Sequence, residues 1–181
     1  IPIEAALYGH NIAPGINRSF ISEQWVNLVP DGLSDEVRDE ADALANYDIE
    51  LDIHGYDIDQ NMIDIAQENS RAAGLTHDIT FKQLAVKDWQ TSKVNGVIVA
   101  NPPYGERLSD KESVHELYRQ MGELYRPLTT WSKYILTADM EFEKYYGTPA
   151  TKRRKLYNGA LRTDLYQYWG KKDRSKIKTP K

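Results

Sequence analysis

Hydrophobic and polar positions follow two different periods along the chain, and the switches between them mark out its elements. The opening run Ile1-Pro2-Ile3-Glu4-Ala5-Ala6-Leu7 carries a helical pattern over residues 1–8, ended near Gly9. Residues 10–33 hold Pro14, Gly15, Pro30 and Gly32 and read as loop with short helical pieces. Ser34 is placed to cap a helix over 35–46, with Asp35 and Glu36 favourable in its first turn. Residues 51–57 read as a strand. Asp59 then caps a helix over 60–73, on which Met62, Ile63, Ala66 and Ala73 keep helical spacing, and Gly74 stands where a left-handed residue ends a helix.

The second half continues the alternation. Residues 79–86 and 95–100 read as strands, the latter (Asn-Gly-Val-Ile-Val-Ala) nearly all apolar, as a buried central strand requires. A helix over 111–126 is stopped by Pro127, and a strand follows over 133–138. Arg154–Tyr157 and Ala160–Trp169 flank Asn158-Gly159, a strong hairpin signal. Strands alternating with helices predict an α/β fold: a mostly parallel sheet with helices on both faces and a C-terminal antiparallel hairpin. One domain over 1–170 and a basic tail over 171–181 account for the chain.

Apolar residues make up 40%, enough for a core, and no stretch approaches the roughly 18–20 apolar residues of a membrane helix. The absence of cysteine excludes disulfides and thiolate metal sites. The four histidines, His10, His54, His77 and His115, lack ligand spacing, so no metal is expected. A cytoplasmic protein is the simplest reading. The net charge of −4 hides an asymmetry: residues 152–181 carry eleven Lys/Arg against two acids, while the rest is strongly acidic. A basic C-terminal edge fits a polyanionic partner; a solvated tail accounts equally well for residues 171–181 alone.

The candidate chemistry lies at strand ends. Asn101-Pro102-Pro103-Tyr104 directly follows the apolar strand 95–100, at a carboxyl end of the sheet, where open α/β folds build their sites. Two prolines restrict the backbone and supply no N–H, so the carbonyls around them point outward without a local donor. The Asn101 carboxamide beside the Pro102 carbonyl makes two converging acceptors, which is what a planar exocyclic NH2 group needs. Such an amine is a poor nucleophile, because its lone pair is delocalised into the ring. Accepting both of its hydrogens favours a pyramidal nitrogen with a directed lone pair, and Tyr104 can stack on the base. A paired base would have to flip out to reach this place. In Gly55-Tyr56-Asp57-Ile58-Asp59, Asp57 can bind a ribose diol, Ile58 can pack on an adenine face and Asp59 caps the next helix, although capping alone also explains an acid here. Asp88, after strand 79–86, can accept from an adenine N6 amino group or serve as a solvated loop acid.

Taken in order, the stretches IPIEAALYGHNIAPGINRSF (1–20), GYDIDQNMIDIAQENSRAAGL (55–75), VIVANPPYGERL (97–108) and KRRKLYNGALRTDLYQYW (152–169) resemble the class I methyltransferases with an NPPY motif. More closely, they resemble the bacterial 23S ribosomal RNA guanine-N2 methyltransferases. The resemblance implies a Rossmann-like fold and S-adenosylmethionine as cofactor, with Asp57, Ile58, Asp88 and Asn101 in its binding. It implies Asn101, Pro102, Pro103 and Tyr104 at the target amine, and RNA near Lys152, Arg153, Arg154 and Lys155. Arg107 suits a phosphate contact and an ordinary salt bridge equally. Such enzymes carry a glycine-rich motif, Asp-Pro-x-Cys-Gly-Ser-Gly-Thr, between the first strand and first helix, and this chain begins just after that point. The first strand and glycine loop are therefore missing, weak cofactor binding is expected of the chain alone, and an upstream THUMP domain is expected in the full-length protein.

Three other readings remain. A DNA adenine-N6 methyltransferase uses NPPY equally well but usually brings a separate recognition domain. A protein glutamine-N5 methyltransferase has little need of Lys152–Lys155. A non-catalytic RNA-binding module has no need of two converging acceptors.

Overall fold

The computed structural model describes residues 1–104 and 111–171, which divide into two compact units with a boundary between Leu84 and Ala85. Residues 1–84 contain α1 (Pro2–Gly9), a 3₁₀ turn (Ile21–Gln24), α2 (Leu33–Ala43), β1 (Ile53–Asp57), α3 (Gln60–Ala72) and β2 (Ile79–Gln83). Pro2 at the first helical position of α1 needs no N–H there. The buried Ala6 of α1 packs with Leu75 and Ile79. Strands β1 and β2 pair in parallel, with Ile53 opposite Ile79 and Asp57 opposite Gln83. Helix α3 connects them. Asp59 caps it as expected, its side chain accepting from the Asn61 N–H at 2.9 Å, and Gly74 closes the following turn at φ +76°.

Two local expectations are corrected in this unit. Helix α2 starts at Leu33, before Ser34, and Ser34 does not cap it. Gly32 takes a left-handed backbone (φ +81°), and its carbonyl accepts from the Asp35 and Glu36 N–H groups, so Ser34 lies inside the first turn. Strand β2 ends at Gln83 rather than near residue 86. The Leu84 N–H still bonds the Asp57 carbonyl at 2.8 Å, and the chain then coils into a 3₁₀ turn at Val86–Asp88.

From Ala85 onward come β3 (Val97–Ala100), α4 (Lys111–Tyr125), β4 (Ser132–Thr137), α5 (Phe142–Tyr146), β5 (Lys152–Asn158) and β6 (Leu161–Tyr168). They build a sheet of order β3-β4-β6-β5, so β3, expected as a buried central strand, is instead an outer strand among the described residues, with Val97 and Val99 61% and 51% exposed because no described strand covers that side. The β3–β4 pair is parallel, with Val97 opposite Ser132 and Ala100 opposite Ile135; the other two pairs are antiparallel. The apolar stripe of α4 (Val114, Tyr118, Met121, Tyr125) has helical spacing and packs with Ile135, Phe142, Tyr146, Tyr166 and Tyr168. The core is largely aromatic: Phe142 meets Tyr118 edge-on at 4.9 Å and Tyr166 at a tilt at 4.8 Å. Gly122 lets α4 approach α5 closely, since a Cβ there would lie 2.1 Å from the Tyr146 carbonyl oxygen. The five-residue α5 was not anticipated, being too short to show a period.

The hairpin forms, but its turn lies one residue later than expected. Asn158 pairs with Leu161, leaving Gly159-Ala160 as the two-residue loop, with φ +60° at Gly159. A positive φ at the first loop residue alone is the glycine-first pattern of hairpin turns, whereas Asn158-Gly159 would need positive φ at both positions. Tyr157 therefore pairs with Arg162, an even shift that keeps each side chain on its expected face. No helix among the described residues is long and apolar enough to cross a membrane.

Candidate active site

Strand β3 ends at Ala100, and the next four residues leave the sheet at the carboxyl end of a parallel strand. Asn101 is exposed, so its carboxamide is available to a ligand. Its Oδ1 accepts the Tyr104 hydroxyl at 2.7 Å. The expectation for Tyr104 was a stacking surface; here its polar end bonds one of the two acceptors assigned to a target amine. The Pro102 carbonyl has no hydrogen-bond donor among the described residues. The neighbouring Pro103 carbonyl is held from beneath by the Tyr118 hydroxyl at 3.0 Å.

Tyr118 is fully buried on the core stripe of α4, and its hydroxyl also lies 3.0 Å from Oγ1 of Thr137, at the end of β4. Burial pushes the phenol up to about 12, keeping it protonated at neutral pH. Thr137 Oγ1 accepts in turn from the Asp139 N–H at 3.1 Å. The Asp139 carboxylate is bonded to His115 Nε2 at 3.1 Å, and the His115 ring stacks on Tyr145 at 3.6 Å. Sequence reasoning missed this group. Its one visible signal was a tyrosine on the apolar stripe of a helix, because a buried hydroxyl demands a partner.

Within residues 1–84, Asp57 ends β1 and is exposed. One carboxylate oxygen accepts from the Asp59 N–H at 2.9 Å, and the other has no partner among the described residues. Ile58, beside it, is 70% exposed, a large apolar side chain left facing solvent. In the other unit, Asp88 closes the Val86–Asp88 turn and is exposed.

The four cations Lys152, Arg153, Arg154 and Lys155 lie on β5, the outer strand of its sheet, and alternate between its faces. Arg153 is committed to the protein. It bonds the buried Asp164 at 2.6 Å, lies 3.6 Å from Glu143 and covers the Tyr166 ring at 4.7 Å. Lys152 and Arg154, on the opposite face, are exposed without an ion-pair partner among the described residues. Lys155 lies over the exposed Tyr157 ring at 5.2 Å. Arg107 and residues 172–181 lie outside the described residues. No group of acids and histidines among the described residues could hold a metal ion.

Residues 1–167 match the sequence model of the family described as RMKL-like, methyltransferase domain. The chain is 53% identical over 171 residues to "Putative RNA methyltransferase YpsC" of Bacillus subtilis (strain 168), covering 94% of this chain and 44% of that protein. It is 36% identical over 164 residues to the ribosomal RNA large subunit methyltransferase K/L of Shewanella amazonensis (strain ATCC BAA-1098 / SB2B), covering 88% of this chain and 23% of the relative. Among solved structures, SMU.472 complexed with SAH superposes with a TM-score of 0.90 at 51% identity, covering 94% of this chain and 45% of that one. A predicted N6-adenine-specific DNA methylase from Listeria monocytogenes str. 4b F2365 superposes with a TM-score of 0.87 at 56% identity, covering 94% and 44%. The chain thus spans less than half the length of these relatives.

Proposed function

Because this chain belongs to the RMKL-like methyltransferase domain family, we propose that it is part of an S-adenosylmethionine-dependent methyltransferase acting on the exocyclic amino group of a nucleobase, guanine N2 in large-subunit ribosomal RNA. The observation that carries this reading is Asn101-Pro102-Pro103-Tyr104 at the carboxyl end of β3, with an exposed carboxamide next to a carbonyl that has no donor among the described residues.

The residues present suit the cofactor. Asp57 keeps a free carboxylate oxygen for a ribose hydroxyl, Ile58 offers exposed apolar surface to an adenine face, and Asp88 offers an acceptor to an adenine amino group. When bound, S-adenosylmethionine supplies a methyl group already activated on a sulfonium. Asn101 Oδ1 and the Pro102 carbonyl accept the two hydrogens of the target amine and direct its lone pair. Positioning of this kind is a large source of rate. Asn101 Oδ1 accepts from the Tyr104 hydroxyl and keeps a second lone pair for the amine, while the Tyr104 ring supplies a surface for the base. Lys152, Arg154 and Lys155 supply cations for phosphates. The relatives named for ribosomal RNA support the RNA substrate. An upstream THUMP domain in the full-length protein completes the proposal.

The second reading is a DNA adenine-N6 methyltransferase, favoured by the name of the Listeria structure at 56% identity. Parallel incubations of the full-length protein with methyl-labelled S-adenosylmethionine and either undermodified ribosomal RNA or unmethylated DNA, followed by nucleoside mass spectrometry, test both. N2-methylguanosine is expected, and Asn101→Ala should lower kcat by about 10²–10³, the loss typical of one preorganised site hydrogen bond. Label in N6-methyladenine of DNA alone overturns the RNA reading and selects the second.

A further inference from the structure

Tyr118 and Thr137 belong to neither the target-amine acceptors nor the residues assigned to the cofactor, yet they fix the direction of a carbonyl inside the motif loop. The protons in this group can be placed only one way. The Asp139 N–H is purely a donor, so Thr137 Oγ1 accepts it. The Pro103 carbonyl is purely an acceptor, so the single Tyr118 proton goes there. Thr137 must then donate its hydroxyl proton to the Tyr118 oxygen. The result is a directed chain running Asp139 N–H to Thr137 to Tyr118 to the Pro103 carbonyl. Thr137 and Tyr118 are 1% and 0% exposed, which keeps competing water away from its middle.

The effect on the motif follows from covalent geometry. The peptide joining Pro102 to Pro103 is planar, and the ring of Pro103 restricts its φ to a narrow range. The principal remaining rotation is ψ of Pro103, which sets where its carbonyl points. Pinning that carbonyl therefore also restricts the plane that contains the Pro102 carbonyl, one of the two amine acceptors. The far end of the chain is anchored as well: Asp139 is held by His115 and by the Glu141 N–H at 2.8 Å.

We propose that Tyr118 and Thr137 are positioning residues for methyl transfer, which orient the Asn101–Tyr104 loop through the Pro103 carbonyl without touching substrate. The inference rests on the function proposed above for that loop. Desolvation keeps the Tyr118 proton in place throughout the pH range of an ordinary assay, so the chain does not titrate away.

The test is steady-state methyl transfer by the full-length protein with Tyr118→Phe, Thr137→Val, Thr137→Ser and the double variant Tyr118→Phe/Thr137→Val. Displacement of acceptors by a fraction of an ångström should lower kcat by roughly 10- to 100-fold in Tyr118→Phe, with KM for cofactor and for RNA within twofold of wild type. Thr137→Val should lower kcat in the same way, and Thr137→Ser, which keeps the hydroxyl, should recover it. The double variant should be no slower than Tyr118→Phe, because both changes cut one chain. Unchanged kcat in Tyr118→Phe, a loss confined to KM, no recovery with serine, or multiplying losses in the double variant would each overturn the proposal. If Tyr118→Phe fails to fold, the valine and serine pair decides it. If the wild type methylates DNA or protein instead of RNA, the substrate reading fails while the same kcat ratios, measured on that substrate, still decide the role of the chain. A wild type without any transferase activity overturns both.

Discussion

The four consecutive cations of β5 should separate into two kinds when replaced one at a time. Arg153→Ala removes the 2.6 Å contact to Asp164, whose side chain is only 3% exposed, and leaves that carboxylate with Arg162 at 3.3 Å. Breaking a fully buried pair costs about 3–5 kcal/mol, but Arg153 is 36% exposed and Arg162 remains, so about 2 kcal/mol is the expected loss. Losing the guanidinium over the Tyr166 ring adds about 0.5–1 kcal/mol. At roughly 2–4 °C per kcal/mol for a chain of this size, the melting temperature should fall by about 5–12 °C. Arg154→Ala breaks no ion pair among the described residues and should change stability by about 0.5 kcal/mol or less. In RNA binding the order should reverse. Arg154→Ala should weaken binding evenly across sequences and reduce the slope of log K against log salt by roughly 0.7–1, the signature of one lost phosphate contact. Thermal melts and salt-dependent RNA titrations of the two variants supply both measurements. An Arg153→Ala variant that melts with the wild type but loses the same salt slope as Arg154→Ala would refute the division.

Other consequences are open to direct measurement. Gly122→Ala gains about 1 kcal/mol of helix propensity, but its Cβ must displace the Tyr146 carbonyl oxygen from 2.1 Å. Overpacking against backbone costs about 1–3 kcal/mol or more, so the variant should melt below the wild type, and a melt at or above it would show that α5 gives way freely. His10 is buried, with Nδ1 on the Asn46 carbonyl (3.0 Å) and Nε2 on Asp78 (2.8 Å), two acceptors that together hold the imidazolium. The Asn46 carbonyl first, and then Asp78, raise its pKa above the ordinary imidazole value against the opposing effect of burial. Its contribution to stability is therefore complete below the unfolded value of about 6.5 and disappears as pH rises through the higher folded value. Denaturation at pH 6 and pH 8.5 should show the wild type losing more stability than His10→Gln over that interval, and equal losses would sink the assignment.

Much of the fold could be read before any coordinates, because period and capping are local properties. The 3.6-residue spacing placed α3 and α4, the Asp59 side chain reached its own helix two residues away, and the unbroken apolar run before Asn101 marked β3 and thereby located the candidate site. The existence of the hairpin was legible for the same reason. What remained hidden depended on partners distant in sequence or on competition between neighbours. Whether Asn158-Gly159 or Gly159-Ala160 forms the turn was settled by cross-strand register, not by the dipeptide alone. A run of four cations looks uniform as text. Only the placement of Asp164 and Tyr166 beside Arg153 sets that residue apart from Arg154. The Tyr118 hydroxyl finds its partners 15 and 19 residues away, because α4 packs over β4 and brings the end of the strand beneath the motif loop. Local periodicity specified the buried stripe of α4 but not the exposure of Val97 and Val99 on β3 or of Met62 on α3; the identity of the groups that meet in the core was decided by packing, where a buried polar atom must find a partner wherever the chain supplies one.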